Sequence, residues 1–168
     1  MAGGALPFDP VGEARRQWED HGWDDAALGM SVVTSIMRVQ QILLAQIDGM
    51  LAEHGLTLAR FEVLRLLDFT RHKELPLGKI GSRLQVHPTS VTNAIDRLEE
   101  QGYVERVAHP TDRRATLAVI TAEGRRVVKK ATRQLNEQVF TQLPLTDRQL
   151  ATLYDTLERV RRSAGDFD

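Results

Sequence analysis

Two groups of polar residues in the middle of the chain have types and spacing that suit chemistry. The first is Thr89, Ser90, Thr92 and Asn93, just after Pro88. The second is Asp112, Arg113 and Arg114, in the loop HPTDRR. Neither group supplies a nucleophile with its base. Both suit the recognition of nucleic acid. Small hydroxyl and amide side chains on a helix edge reach base edges and phosphates when the helix lies in a major groove, which admits one α-helix. Arginine at a hairpin tip suits the narrow minor groove, where negative potential concentrates. Each group alone is also what ordinary solvated surface looks like, so the elements that position them must decide.

Those elements can be read from hydrophobic spacing and stop signals. The helix from Pro88 or Thr89 to Gln101 turns Val91, Ile95 and Leu98 inward, and Gly102 stops it. Val104–Ala108 and Ala115–Ile120 read as two strands joined by HPTDRR. A short helix over Leu77–Leu84 precedes the turn QVHPTS, and RHKELPL is a break that could hold a short strand. Thr57 caps a helix to Phe69 that carries Phe61, Leu64 and Leu67 on its apolar side. Two short helices, a tight turn and a two-stranded ribbon form a winged helix-turn-helix. Its ribbon presents the arginines beside the helix.

Longer helices flank this head. Asp25 to His54 repeats Leu28, Val32, Val33, Ile36, Val39, Ile42, Leu43, Ile47, Met50 and Leu51 at helical steps. Thr121 caps a helix to about Leu143, broken at Pro144, and Thr146 caps a last helix to Ser163. Leu135, Val139, Phe140, Leu143, Leu150, Leu153, Tyr154, Leu157 and Val160 need a partner surface, which either a second chain or an intramolecular bundle would provide. A further short helix spans Glu13 to His21, with Trp18 and Trp23 at its end. The fold class expected is mainly α with a small β-wing. Residues 1–24 form an extension with a short helix, 25–56 and 121–163 a helical dimerisation region, and 57–120 the winged helix-turn-helix domain.

Composition narrows the function classes. The net charge is −1, yet residues 1–29 carry six acids and two bases, and residues 101–133 carry eight bases and three acids. A locally basic face follows. There is no cysteine, which removes disulfides and thiolate zinc sites and fits a cytoplasmic setting. The N-terminus lacks the pattern of a secretory signal. The longest apolar stretches fall far short of the roughly 20 residues of a membrane helix, so no membrane partner is expected. No G-x-S-x-G, H-E-x-x-H or phosphate-binding glycine loop is present, so no catalytic residue and no cofactor are assigned. The five histidines share no i, i+4 spacing, and no metal ligand set is assigned. The alternatives are a metal-responsive regulator of the same fold and a winged-helix protein-interaction adaptor. Arg113 and Arg114 argue against the adaptor.

The stretch LPLGKIGSRLQVHPTSVTNAIDRLEEQGYVERVAHPTDRRATLAVITAEG resembles the MarR family of bacterial transcriptional regulators. The resemblance lies in the L-x-x-I-G-x-R-L helix, the V-T-x-x-I-D-R-L-E-x-x-G-Y-V-x-R helix and exit, and the D-R-R wing followed by I-T-x-E-G. It covers about residues 26–162. It implies a homodimer that binds a pseudopalindromic operator in double-stranded DNA. It implies that Asp112 braces the wing by pairing with Arg114, that Arg114 enters the minor groove, and that Arg113 contacts phosphate or scaffold. His87, Thr89, Ser90 and Asn93 fall on the recognition helix or its start. Arg97 lies later on that helix, either facing DNA or buried in an ion pair. Many members bind a small aromatic or anionic molecule, which here implies an organic anion or phenolic effector. Arg38, Arg60, Phe61, Arg65 and His87 are candidates near the junction of head and dimer helices. The extra helix with Trp18 is similar to that of the urate-responsive branch, in which Glu62 and Arg97 would take two further roles.

Overall fold

A computed structural model describes residues 6–112 and 114–168. It is mainly helical, with one small antiparallel sheet. The chain divides into two compact units, residues 1–131 and 132–168.

Helix α1 (Pro10–Asp20) starts where Asp9 accepts the Val11 N–H at 3.0 Å and Pro10 supplies a preset φ. Gly22, at φ +77°, turns the chain into α2 (Asp24–Ala52). α1 folds back on α2, and Trp18 meets Trp23 edge to face at 5.2 Å. Trp18 is half-buried by this, and Trp23 is exposed.

α2 corrects one expectation. Its 29 residues include an 18-residue window of mean hydropathy 1.4, so by length and composition it could cross a membrane. Its apolar repeat is also mostly uncovered. Ala27, Ile47 and Leu51 are buried, whereas Leu28, Val32, Val33, Ile36, Met37, Val39 and Ile42 are exposed. The hydrophobic spacing sets the helix, and most of its apolar face is exposed.

The turn into α3 (Leu58–Phe69) uses Gly55 at φ +68°. Thr57 Oγ1 caps α3, and Asp48 of α2 accepts the Leu58 N–H at 2.7 Å. Phe61, Val63, Leu64 and Leu67 enter the core. Strand β1 (Glu74–Pro76) leads directly into α4 (Leu77–Leu84). Gln85 takes a left-handed turn, and α5 (Pro88–Glu100) follows. Gly102 then reverses the chain into β2 (Val104–Ala108), the wing loop and β3 (Thr116–Ile120).

The ribbon expected from sequence is the larger part of a three-stranded sheet ordered β1-β3-β2. Val104 faces Ile120 and Ala108 faces Thr116 in one ladder, and Glu74 faces Val119 and Pro76 faces Leu117 in the other. Ile80, Val91, Ile95, Leu98, Val104, Leu117 and Ala118 form the core beneath. Helix α6 (Ala122–Leu135) starts at Thr121, whose hydroxyl accepts the Gly124 N–H at 3.0 Å and donates to Gly102 O at 2.8 Å. A Cβ on Gly124 would run into the Tyr103 carbonyl, so only glycine lets α6 leave the sheet this closely.

In the second unit the expected straight helix to Leu143 gives way to a π segment, Asn136–Phe140. There Thr141 N bonds Asn136 O at 3.1 Å, the wider i to i−5 pattern. α7 (Asp147–Ser163) carries a capping box between Thr146 and Gln149. Beyond it, Arg162 lies 4.6 Å over the Phe167 ring and Arg161 pairs with Asp166 at 2.7 Å. Leu135 and Val139 are buried within the chain, while Phe140, Leu153, Tyr154 and Val160 are exposed.

Candidate nucleic-acid interface

The site is built on α5. His87 precedes its first turn, and the ring Nδ1 accepts the Thr89 N–H at 3.2 Å, so this histidine is the cap. Val91, Ile95 and Leu98 hold the helix down on the core. That burial leaves Thr89, Ser90, Thr92, Asn93 and Arg97 exposed. Thr92 Oγ1 donates to the Pro88 carbonyl at 3.1 Å. Arg97 is 69% exposed and pairs with Glu100 at 2.7 Å, so the buried ion pair left open by the sequence is ruled out. Its pKa is raised by the Glu100 hydrogen bond and charge.

The later half of α5 carries Asp96, Glu99 and Glu100, which would repel phosphate if unpaired. Arg106 on β2 pairs with both Asp96 and Glu99, and its own N–H donates to Glu99 at 3.1 Å. Burial alone would lower the Arg106 pKa, but the bonds to Asp96 and Glu99 raise it. One side chain therefore fastens the wing strand to the recognition helix and neutralises two acids. Sequence reading missed Arg106, because its partners lie across the Gly102 turn. Complementary charges on either side of a tight turn were the available signal.

At the wing tip His109 organises the loop. Its Nδ1 accepts the Thr111 N–H at 3.3 Å and the Asp112 N–H at 3.1 Å. The ladder closes with His109 N to Ala115 O at 3.2 Å and Ala115 N to Asp112 O at 3.0 Å. Asp112 braces the loop by accepting the backbone N–H of Arg114 at 2.9 Å. The pairing of Asp112 with Arg114 thus runs through the backbone N–H. A carboxylate two residues before an N–H closes an Asx turn locally, and Arg114 is exposed. Arg113 lies outside the described residues.

The effector candidates other than His87 and Arg97 fall in different places. Arg38, with Arg15, Ser31 and Ser35, lines a cleft of about 340 Å³ between α1 and α2. Trp18 packs on Trp23. Arg60 Nε donates to the cap hydroxyl of Thr57 at 3.3 Å, and Phe61 is buried in the core. Arg65 pairs with the buried Asp68 and lies 4.5 Å from the Phe69 ring centroid. The Glu62 residue is exposed overall, yet desolvation on one side pushes its carboxyl pKa above its ordinary value.

With this geometry in hand, comparison with known proteins is decisive. The MarR family profile matches residues 56–116. The HTH-type transcriptional repressor Rv2887 of Mycobacterium tuberculosis (strain ATCC 25618 / H37Rv) is 32% identical over 108 residues, 64% of this chain and 73% of the relative. The chain belongs to the MarR family of transcriptional regulators. MhqR of Bacillus subtilis is 42% identical over 73 residues, 43% of this chain, and the match spans 48% of that relative, about half its length. Sco5413, a MarR family transcriptional regulator from Streptomyces coelicolor, superposes with a TM-score of 0.76 at 46% identity over 83% of this chain and 97% of its own. CouR from Rhodococcus jostii RHA1, solved with p-coumaroyl-CoA bound, gives 0.64 at 26% identity over 79% and 90%. The winged helix-turn-helix observed here agrees with this family, and the relatives matched are transcriptional regulators.

Proposed function

We propose that this MarR-family chain is a homodimeric regulator, acting in the cytoplasm, that binds a pseudopalindromic operator and responds to a small organic ligand. The observation that carries the DNA reading is α5. It is anchored by three buried aliphatics, capped by His87, and leaves an unbroken polar edge of Thr89, Ser90, Thr92 and Asn93. These four read bases or phosphates in the major groove, with His87 at the helix start. Arg97 reaches phosphate by exchanging Glu100. Arg114 enters the minor groove, Arg113 contacts the adjoining backbone, and Asp112 shapes the tip.

Residues 57–120 act as the DNA-binding domain, 25–56 and 121–163 as the dimerisation region, and 1–24 as an accessory extension. Support for the dimer comes from the exposed row Leu28, Val32, Val33, Ile36, Val39 and Ile42 on α2, an apolar surface that a soluble monomer rarely presents. A two-fold dimer also fits paired half-sites. CouR supports an organic ligand by analogy, with Trp18, Arg38, Arg60, Glu62 and Arg65 as the groups to test. Fluorescence anisotropy with duplexes tiled across the DNA upstream of its own gene tests the core of this reading. Steep salt-dependent binding to one duplex is expected, and equal weak binding to all would overturn operator recognition.

A further inference from the structure

α2 belongs to two parts of the molecule at once. Near its end Ile47 and Leu51 are buried in the core of the head, while the row from Leu28 to Ile42 is exposed. The angle at which α2 leaves the head is set at the turn into α3. The chain passes that turn through Gly55, at φ +68°.

Two side chains lock this elbow. From the α2 side, half-buried Asp48 accepts the Leu58 N–H at 2.7 Å, so the end of α2 holds the first residue of α3. From the opposite side comes Gln101, the C-cap of α5, whose Nε2 donates to the Gly55 carbonyl at 2.8 Å. A Cβ on Gly55 would lie 3.0 Å from that nitrogen. The elbow is therefore tied both to α3 and to the end of the recognition helix.

Stability explains Gln101 poorly. Its Oε1 is buried and accepts no hydrogen bond from the described residues. A buried acceptor left unfilled costs free energy, which offsets what the bond to Gly55 contributes. Gly55 is exposed, so water would take its carbonyl if the amide left. Turning the amide over would set two oxygens face to face. What the contact supplies is direction.

Direction has leverage here. From Ile36, in the exposed row, to Ala52 the helix runs about 24 Å, at about 1.5 Å per residue. A tilt of about 8° at the elbow then displaces the head by about 3.4 Å, the rise of one base pair.

We infer that Gln101 and Asp48 are positioning residues that set the half-site spacing the dimer accepts. They fix the angle between α2 and the head that carries α5, and so the separation of the two α5 helices in a pair. This rests on the dimeric operator reading above and adds a spacing rule to it.

The test uses the full chain and the duplex selected by tiling, lengthened or shortened between its half-sites by one or two base pairs. The readout is the ratio of affinity for the parent duplex to affinity for each altered one, with melting measured for every variant. Wild type should lose affinity many-fold at each change of spacing. Gln101→Leu and Asp48→Ala should each lower that ratio several-fold. Asp48→Asn, which keeps an acceptor for the Leu58 N–H, should restore it. The loss caused by a changed base within a half-site should stay as in wild type, because α5 itself is intact. If Asp48→Ala melts below the assay temperature, Gln101→Leu carries the comparison, since it removes only an exposed contact. Residues that merely hold the fold together would lower affinity for every duplex alike, and an unmoved ratio in Gln101→Leu overturns the inference. So does an Asp48→Asn variant as relaxed as Asp48→Ala. A wild-type chain that binds no duplex, or binds every spacing equally, overturns the paired half-site reading itself. A selective wild type with equally selective variants overturns the spacing role alone.

Discussion

Arg106→Met removes the clamp between wing and recognition helix while keeping most of the aliphatic stem. The Arg106 side chain is 25% exposed, and Asp96 and Glu99 are 48% and 40% exposed, so water screens both pairs. Exposed pairs contribute about 0.2–1 kcal/mol each. Two pairs sharing one guanidinium give a loss of about 0.4–2 kcal/mol. In a chain of this size 1 kcal/mol moves Tm by about 2–4 °C, so a fall of about 1–8 °C is expected. A second effect falls on DNA binding. Asp96 and Glu99 become uncompensated acids on α5, and affinity should drop more at low salt than at high salt, where the field is screened. The assay pairs thermal melting with anisotropy at two salt concentrations. A double-mutant cycle with Asp96→Asn isolates the coupling. If Asp96→Asn has the same effect in wild type and in Arg106→Met, and affinity is unchanged at low salt, the clamp is decoration.

Four other outcomes follow from the same structure. Gly124→Ala should destabilise by more than about 2 kcal/mol, because the added carbon meets a backbone carbonyl that cannot rotate away; a variant melting like wild type would show that α6 shifts freely. His109→Ala should weaken DNA binding, whereas His109→Asn, which keeps an acceptor for the loop N–H groups, should recover part of it; equal loss in both would mean that the ring touches DNA instead. Ile36→Glu on α2 should convert a dimer to monomers in light scattering, and an unchanged mass would place the interface elsewhere. Glu62→Gln should raise Tm at neutral pH. Burial raises the Glu62 pKa, so its native state favours the protonated form, and the stability this brings is present below the ordinary glutamate pKa of about 4.3 and lost as pH rises through the folded value. The gain should therefore vanish in acid, and a gain that persists there would assign it to packing.

Local signals were legible in the sequence. The Thr57 and Thr146 caps, the Gly102 stop and the inward row of α5 are each set within a turn or two of chain, and the structure places them as read. What escaped depends on distant partners or on backbone detail. The pairing of β1 with β3 joins residues far apart in sequence, and the Arg106 clamp forms only once β2 lies against α5. The π segment leaves no mark in hydrophobic spacing, because one wider turn changes phase without changing composition. The sequence named the residues Asp112 and Arg114 but not the atoms that join them, since side-chain charges are visible in a sequence and a local N–H is not. The uncovered face of α2 follows the same rule: periodicity shows which residues want burial and is silent on which chain buries them.

The sheet order has a mechanical consequence. β1 pairs with β3 only as far as Leu117, which is buried, and beyond that residue the ribbon has no third strand beside it. The wing is thus a cantilever clamped at Leu117 and tied sideways by Arg106. Its base resists bending, while the stretch from Ala108 to Thr116 has the compliance of a two-stranded hairpin. On the proposed DNA reading, such a beam lets the tip follow grooves of different width without disturbing α5.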